Sequence, residues 1–403
     1  MTAPEAAARL GVKVDTVYAY VSRGSLSSWK DPGTRTSRFD SDEVEALARR
    51  GRPRRTSRPP ALDFTIECAL TAIGDHDLYY RGRSALELAR SAIFEEVAEL
   101  LWTGVLPGSS PEAAVPVGIS PAWTALPIAC PEGLANRDRL RMAVVLASAA
   151  EPFRADLSAA VLPGRAGELI ATMAEAVAGP ADARAARLVV AGRPARRETI
   201  AGRLWGRLAG GRQNPGLVSA LNAALVLLTD HELATSTFAA RVAASTRADP
   251  YAVVLAGLAT MSGPLHGGAS RLAYQLLESA SLIGPDAAIA RALELHRQVP
   301  GFGHPLYPLG DPRARVLLEA IRAAGSGTPS LVVADRVLAA VRNRAQLEAN
   351  VDFALAVLAR TARMAEDAGE VIFSVARTAG WIAHGIEEYG EQPLRFRARA
   401  VSR

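Results

Sequence analysis

Apolar positions recur at helical spacing through most of the chain. Leu86, Ile93, Val97, Leu100 and Leu101 form one such series, Leu221, Leu225 and Leu228 another, and Val371, Val375 and Ile382 a third. Steps of three, four and seven line one face of a helix, and nowhere is the period-two alternation of a half-buried strand sustained. A small β element is expected only around Phe64–Cys68 and Leu78–Tyr80. No self-similar repeat of about 20–50 residues interrupts the pattern. The body from residue 61 onward therefore reads as nearly all-α.

The first fifty residues are punctuated differently. From Pro4 to Val12 a short helix is expected to stop at Gly11, and Asp15 is expected to cap a second helix over Thr16–Val21 that ends near Gly24. A Gly/Thr/Ser/Arg stretch over 33–38 suggests a wing or hairpin, and a third helix is expected from the Ser41-Asp42-Glu43 cap region to Arg50. Two short helices joined by a turn of about four residues match a helix-turn-helix. The pattern Glu5-Ala6-Ala7, Leu10-Gly11-Val12 and Thr16-Val17-Tyr18 resembles the DNA-binding module of the MerR and excisionase type. Residues 51–60, Gly-Arg-Pro-Arg-Arg-Thr-Ser-Arg-Pro-Pro, have no apolar periodicity and read as a linker.

Charge falls along the same boundary. The 403 residues hold 46 Lys and Arg against 41 Asp and Glu. Residues 1–60 contain 12 basic and 7 acidic residues, which leaves 34 of each in residues 61–403. The excess of five positive charges thus belongs to the N-terminal segment, and DNA is a possible partner of residues 1–60. The two lysines, Lys13 and Lys30, lie there too. A body without lysine excludes a P-loop lysine, a Schiff base and a pyridoxal phosphate anchor. Its cations are arginines, suited to fixed two-point binding of carboxylate or phosphate. Cys68 and Cys130 are far apart, so neither a zinc ribbon nor a disulfide framework is indicated. No signal peptide and no run of about 18 apolar residues is read, so a soluble, cytoplasmic protein without a membrane partner is expected.

Four local sequences carry candidate chemistry. In Gly263-Pro264-Leu265-His266-Gly267-Gly268, glycines flank a histidine and let backbone approach a ligand closely. Pro300-Gly301-Phe302-Gly303-His304 is followed by Asp311-Pro312-Arg313, where Asp311 can cap a helix whose first turn presents Arg313 to an anion. Asn350-Val351-Asp352-Phe353 sets a carboxylate among apolar residues. Phe373, Arg377, Trp381 and His384 share one helical face. Singly, each also fits a cap, a core position or a solvated arginine.

In order along the chain, these segments resemble the citrate synthase family. Tyr80-Arg81-Gly82, Phe94-Glu95-Glu96-Val97 and Leu106-Pro107 look like its N-terminal signature. Asp230-His231-Glu232-Leu233 with Ser236-Thr237-Phe238 looks like its oxaloacetate-histidine region. The four segments above, with Gly380-Trp381-Ile382-Ala383-His384, complete the series over roughly residues 62–400. The resemblance implies a mainly α fold, with a large helical domain over 61–267 and 351–403 and a small helical domain over 268–350. These follow the helix-turn-helix of residues 1–50 and the linker of 51–60.

The same resemblance implies the chemistry. His266, His304 and Asp352 would be catalytic: Asp352 takes a proton from the methyl of acetyl-CoA, His266 stabilises the enol oxygen, and His304 protonates the ketone of oxaloacetate. His231, Arg313, Phe373, Arg377 and Arg395 would bind substrate, with Arg395 delivered from the neighbouring subunit of a homodimer. No metal and no cofactor are implied, since acetyl-CoA is itself a substrate.

Departures from the family pattern lie at Pro305-Leu306-Tyr307-Pro308-Leu309, where a basic stretch is usual, at Ala234, where asparagine is common, and in the loosely matching segment 108–215. His-Pro-Leu-Tyr also occurs in relatives that cleave citryl-CoA. The alternatives to citrate formation are therefore 2-methylcitrate synthesis, citryl-CoA lyase chemistry, and a DNA-binding metabolite sensor built on the same body.

Overall fold

The computed structural model describes residues 1–10, 12, 14–22, 26–31, 36–49, 65–74, 76–108, 133–178, 198–209, 213–263 and 266–397. The expected linker, Cys130, Pro264 and Leu265 fall outside the described residues. The chain divides into two units, Met1–Glu67 and Cys68–Arg403.

The first unit comprises helices α1 (Ala3–Leu10), α2 (Val14–Ser22) and α3 (Ser41–Arg49), with strands β1 (Ser28–Lys30) and β2 (Ser37–Phe39) before α3. β1 and β2 pair antiparallel, with Trp29 opposite Arg38, and form the expected hairpin. Ala3, Ala6, Ala7, Val17, Leu26, Phe39 and Val44 make its core. Two helix starts differ from expectation. α2 begins at Val14, ahead of Asp15. The cap of α3 is Asp40, whose Oδ1 accepts from the amides of Asp42 and Glu43 at 2.7 and 3.2 Å. A carboxylate just outside the first turn reaches these free N–H groups better than the residues within it.

The second unit holds a three-stranded antiparallel sheet, β3 (Thr71–Ile73), β4 (Leu78–Tyr80) and β5 (Arg83–Ser84), in that order. Residues 65–68 are not strand, so the first strand lies later than the expected Phe64–Cys68. Tertiary anchors place it there: the Thr71 hydroxyl donates to Asp230 at 2.5 Å and the Ile73 amide to Glu232 at 3.1 Å.

Helices make up the rest of the described unit: α4 (Ala85–Ser91), α5 (Phe94–Thr103), α6 (Asn136–Ala150), α7 (Leu162–Ala176), α8 (Ile200–Leu208), α9 (Pro215–Leu228), α10 (Thr235–Ser245) and α11 (Pro250–Met261). They continue with α12 (Ala269–Ile283), α13 (Pro285–His296), α14 (Pro312–Gly325), α15 (Pro329–Ala345), α16 (Val351–Thr361) and α17 (Ala368–Tyr389). Sequence punctuation explains many starts. Pro215, Pro250 and Pro312 open helices capped by Asn214, Asp249 and Asp311, which accept first-turn amides.

α17 is the hub. Its buried face includes Val371, Val375, Ala379 and Ile382, and it packs against α5, α7, α9, α10 and α11. Close approach depends on glycine: a Cβ at Gly257 would lie 2.5 Å from the Trp381 ring, and one at Gly380 would lie 2.3 Å from the Thr229 carbonyl. α12, α13, α15 and α16 pack on one another, while α14 packs on both α9 and α16. The loops that connect these groups converge where candidate chemistry was expected.

Candidate active site

His231 sits in the short connection between α9 and α10. Glu232 adopts a left-handed φ of 51°, and His231 and Leu233 form an isolated bridge around it. This kink brings His231 Nε2 to 2.9 Å from the Tyr307 hydroxyl, and its ring meets His304 edge-on with centroids 5.6 Å apart. Burial, reinforced by the charges of Arg313 and Arg377, holds the His231 pKa well below the usual imidazole range. It is a neutral ring.

His304 lies on a loop stitched to the start of α16. The Gly303 amide donates to Glu348 O at 2.8 Å, the Asn350 amide to Gly301 O at 2.9 Å, and Asn350 Nδ2 to Gly303 O at 2.9 Å. Asn350 also caps α16 through the Asp352 amide at 3.0 Å. Only glycine serves at 301: φ is 82°, and a Cβ would lie 2.8 Å from that of Phe353. The loop thereby fixes His304 relative to Asp352, the second residue of α16. His304 Nδ1 accepts from the Leu306 amide at 3.1 Å. Its ring proton is therefore on Nε2, free to donate. Burial and Arg313 lower its pKa, so it donates as a neutral imidazole.

Arg313 opens α14, as expected, and is almost wholly buried. It pairs with Asp311 at two points and stands over the Tyr307 ring, 5.4 Å from its centroid. Burial disfavours its charge, yet Asp311 outweighs burial and raises its pKa. No described residue hydrogen-bonds the Asp352 carboxyl. Burial lifts its pKa to about 6, against the pull of Arg313. A carboxylate near neutrality is a stronger base than an ordinary aspartate and is still ionised at physiological pH.

His266 follows α11. Its Nε2 lies 2.8 Å from the Ser236 hydroxyl, and its ring meets Phe373 with centroids 6.2 Å apart. Burial and then Arg377 lower its pKa. Arg377, on α17, is buried; its Nε donates to Leu228 O at 2.8 Å and its guanidinium stacks 4.7 Å from the Phe373 centroid. Its two terminal nitrogens have no hydrogen-bond partner among the described residues, which leaves that end of the fork available to an anion.

The structure thus links His231, His304, Arg313 and Asp352 on one side with His266, Phe373 and Arg377 on the other, and Arg377 acts electrostatically on both His231 and His266. Arg395 is elsewhere: it grips Glu388 of its own chain through Nε and Nη2 at 2.8 and 2.6 Å. Three contributors were not singled out from sequence. Tyr307 lies in a stretch read for the basic residues it lacks and for its likeness to citryl-CoA-cleaving relatives, not as a site residue. Ser236 was visible only within a motif, and Asp311 only as a cap. Neutral proton donors, a base of raised pKa and buried arginines suit proton removal next to a carbonyl while a carboxylate-bearing partner is held.

Cys68, His384 and Glu387 place ligand-type atoms within 4.8 Å of one another. The cluster does not suit a metal, because Arg241 Nη1 stands 3.0 Å from His384 Nδ1 and pairs with Glu387. A fixed cation occupies the centre. Among the described residues no helix is long and apolar enough to cross a membrane.

Residues 64–399 match the family model described as citrate synthase, C-terminal domain, and residues 1–52 match that of a helix-turn-helix domain. Citrate synthase 2 of Bacillus subtilis is 31% identical over 82% of this chain and 91% of its own length. Citrate synthase of Haloferax volcanii is 33% identical over 80% of this chain and 89% of its own. The crystal structure of citrate synthase from Thermotoga maritima superposes with a TM-score of 0.64 at 26% identity, covering 84% of this chain and 92% of that one.

Proposed function

The chain belongs to the citrate synthase family, and we propose that it condenses acetyl-CoA with oxaloacetate and hydrolyses the resulting citryl-CoA to citrate and CoA. The observation that carries this reading is the pairing of Asp352, with its pKa raised to about 6, and His304, whose Nε2–H is free to donate, across one stitched loop. Arg313 and Arg377 bind the oxaloacetate carboxylates, and His231 donates to or accepts from its polar groups. Asp352 removes a methyl proton from the thioester while His266 stabilises the developing enolate oxygen. The enol carbon attacks the ketone carbon, and His304 delivers its Nε2 proton to the ketone oxygen. Water then cleaves the thioester and releases CoA.

The small domain, residues 268–350, closes on oxaloacetate against the large domain of 61–267 and 351–403 before acetyl-CoA reacts. Arg395 serves the active site of the partner in a homodimer. The reaction needs neither metal nor cofactor, and the enzyme is cytoplasmic. Free-thiol release from acetyl-CoA plus oxaloacetate, from propionyl-CoA plus oxaloacetate and from citryl-CoA tests the condensing and hydrolytic reaction and separates the 2-methylcitrate alternative. The lyase alternative instead splits citryl-CoA into acetyl-CoA and oxaloacetate with no thiol, so oxaloacetate formed from citryl-CoA reports it. If no thiol appears from any of the three and citryl-CoA yields no oxaloacetate, the enzymatic reading fails.

The helix-turn-helix match favours a second reading for residues 1–60, in which the module binds DNA and the enzyme doubles as a metabolite-responsive regulator. A gel shift with genomic fragments at low and high salt tests it, since phosphate contacts weaken steeply with salt.

A further inference from the structure

The proposed chemistry leaves unassigned a fully buried histidine on α17, seven residues beyond Arg377. His384 Nε2 lies 3.1 Å from Oδ2 of Asp230, the residue immediately before His231. Its Nδ1 lies 3.0 Å from Arg241 Nη1 and 3.8 Å from Cys68 Sγ. Burial alone would lower the ring's pKa, but Asp230 overrides it and brings it to about 9. Arg241, which can only donate, instead favours an acceptor at Nδ1. In either protonation state Nε2 carries a hydrogen, and Asp230 is placed to accept it.

Asp230 is fully buried, and its charge also acts on Arg377. Its Oδ2 takes a second hydrogen bond from the Thr71 hydroxyl at 2.5 Å, and its Oδ1 has no partner. Gly380 makes room for the carboxylate, since a Cβ there would lie 2.7 Å from Oδ1. A buried carboxylate is costly to desolvate and needs donors to hold it. Residues 230–232 are clamped from two sides, by β3 through Thr71 and Ile73 and by α17 through His384. From below, the Tyr80 hydroxyl donates to the Asp230 carbonyl at 3.2 Å. The clamp holds the strained turn at Glu232, and that turn sets the angle at which His231 meets Tyr307.

We infer that His384 is a positioning residue for His231: by donating to Asp230 from α17, with Thr71 as the second donor, it fixes the imidazole that holds oxaloacetate. Arg241 supports His384 from behind and is itself paired with the buried Glu388, the residue that grips Arg395. A continuous polar chain therefore runs from the oxaloacetate histidine to the arginine proposed to serve the partner's site.

This inference rests on the oxaloacetate-binding reading of His231, and full-chain variants test it. His384→Leu removes the donor. His384→Gln places an amide N–H where Nε2 was. Thr71→Val is isosteric and removes only the second donor, so it is expected to fold. Losing orientation of a binding group should raise the KM for oxaloacetate and its Kd by calorimetry about tenfold in His384→Leu and about threefold in Thr71→Val, with kcat changed less than about twofold. His384→Gln should recover most of the loss. A merely structural role predicts lower Tm with unchanged KM in all three, and that result overturns the inference. Should His384→Leu fail to fold, an unchanged KM in Thr71→Val overturns it equally. Absence of thiol release by the wild-type enzyme would instead sink the reading of the reaction itself.

Discussion

Arg313 and Asp311 bind each other at two points, Nε to Oδ1 at 3.0 Å and Nη2 to Oδ2 at 2.9 Å, both side chains buried. The same carboxylate caps α14 through the Arg313 amide and accepts from the Val351 amide at 3.0 Å. One acid therefore ties the helix that presents a candidate substrate arginine to the helix that presents the candidate base. Asp311→Ala strands a buried guanidinium, and breaking such a pair costs about 3–5 kcal/mol. Calorimetry should record a Tm several degrees lower together with weakened oxaloacetate binding. An unchanged Tm would mean that Arg313 finds another partner.

The Asp352 carboxyl makes no hydrogen bond to a described residue, so Asp352→Asn removes a proton acceptor and little else. Turnover should fall about 10²–10⁴-fold, the range that a positioned acid or base contributes. Oxaloacetate binding by calorimetry should stay within about twofold. Retained turnover would remove Asp352 as the base.

The raised pKa of Asp352 fixes the sign of two pH effects. Burial lowers the pKa values of the site's histidines, so the acid limb of kcat/KM should report Asp352, with half-maximal activity near pH 6. Stability runs the other way. A carboxyl whose folded pKa exceeds its unfolded value binds its proton more tightly in the fold, so the fold loses stability as pH rises from 3.8 through about 6. Asp352→Asn should therefore be more stable than wild type at pH 7.5, by on the order of 1–2 kcal/mol, and no more stable near pH 3.5. Equal stability at both pH values would contradict the shift.

The N-terminal unit has its own core of Ala3, Ala6, Ala7, Val17, Leu26, Phe39 and Val44, and its own sheet. Removing residues 1–60 should leave kcat for citrate formation within about twofold, because none of the candidate site residues lies there, and should abolish any DNA shift. A large loss of kcat would give the module a part in catalysis.

What could be read in the sequence was whatever leaves a local mark. Gly301 and Gly303 flag the His304 loop because a positive φ and close contact exclude other residues. Asp311-Pro312 and Asn350 flag helix starts, and the charge count flags the boundary near residue 60. What escaped depends on contacts between distant positions. Tyr307 reaches His231 across 76 residues, and Ser236 reaches His266 across 30. The first strand lies at Thr71–Ile73 because Asp230 and Glu232, far along the chain, anchor it there. The α3 cap fell one residue early for a different reason: Ser41, Asp42 and Asp40 are all good caps, and only backbone geometry chooses among them.

Ser236 allows a last discrimination. It is fully buried at the start of α10, and its hydroxyl stands 2.8 Å from His266 Nε2. No other described side chain hydrogen-bonds that ring, and Phe373 restrains it only by an edge contact. Ser236→Ala should leave the fold intact, since one small polar group is removed without a cavity larger than its oxygen, yet it frees the imidazole to rotate and to change tautomer. If His266 stabilises the enolate oxygen, that loss is felt when charge develops and not when oxaloacetate binds. The expected result is kcat reduced about tenfold with the KM for oxaloacetate unchanged. Proton exchange of the acetyl-CoA methyl, followed with a non-reacting oxaloacetate analogue bound, should slow by the same factor. If exchange is unaffected while kcat falls, His266 acts after the enol has formed, and its role moves to the hydrolytic step.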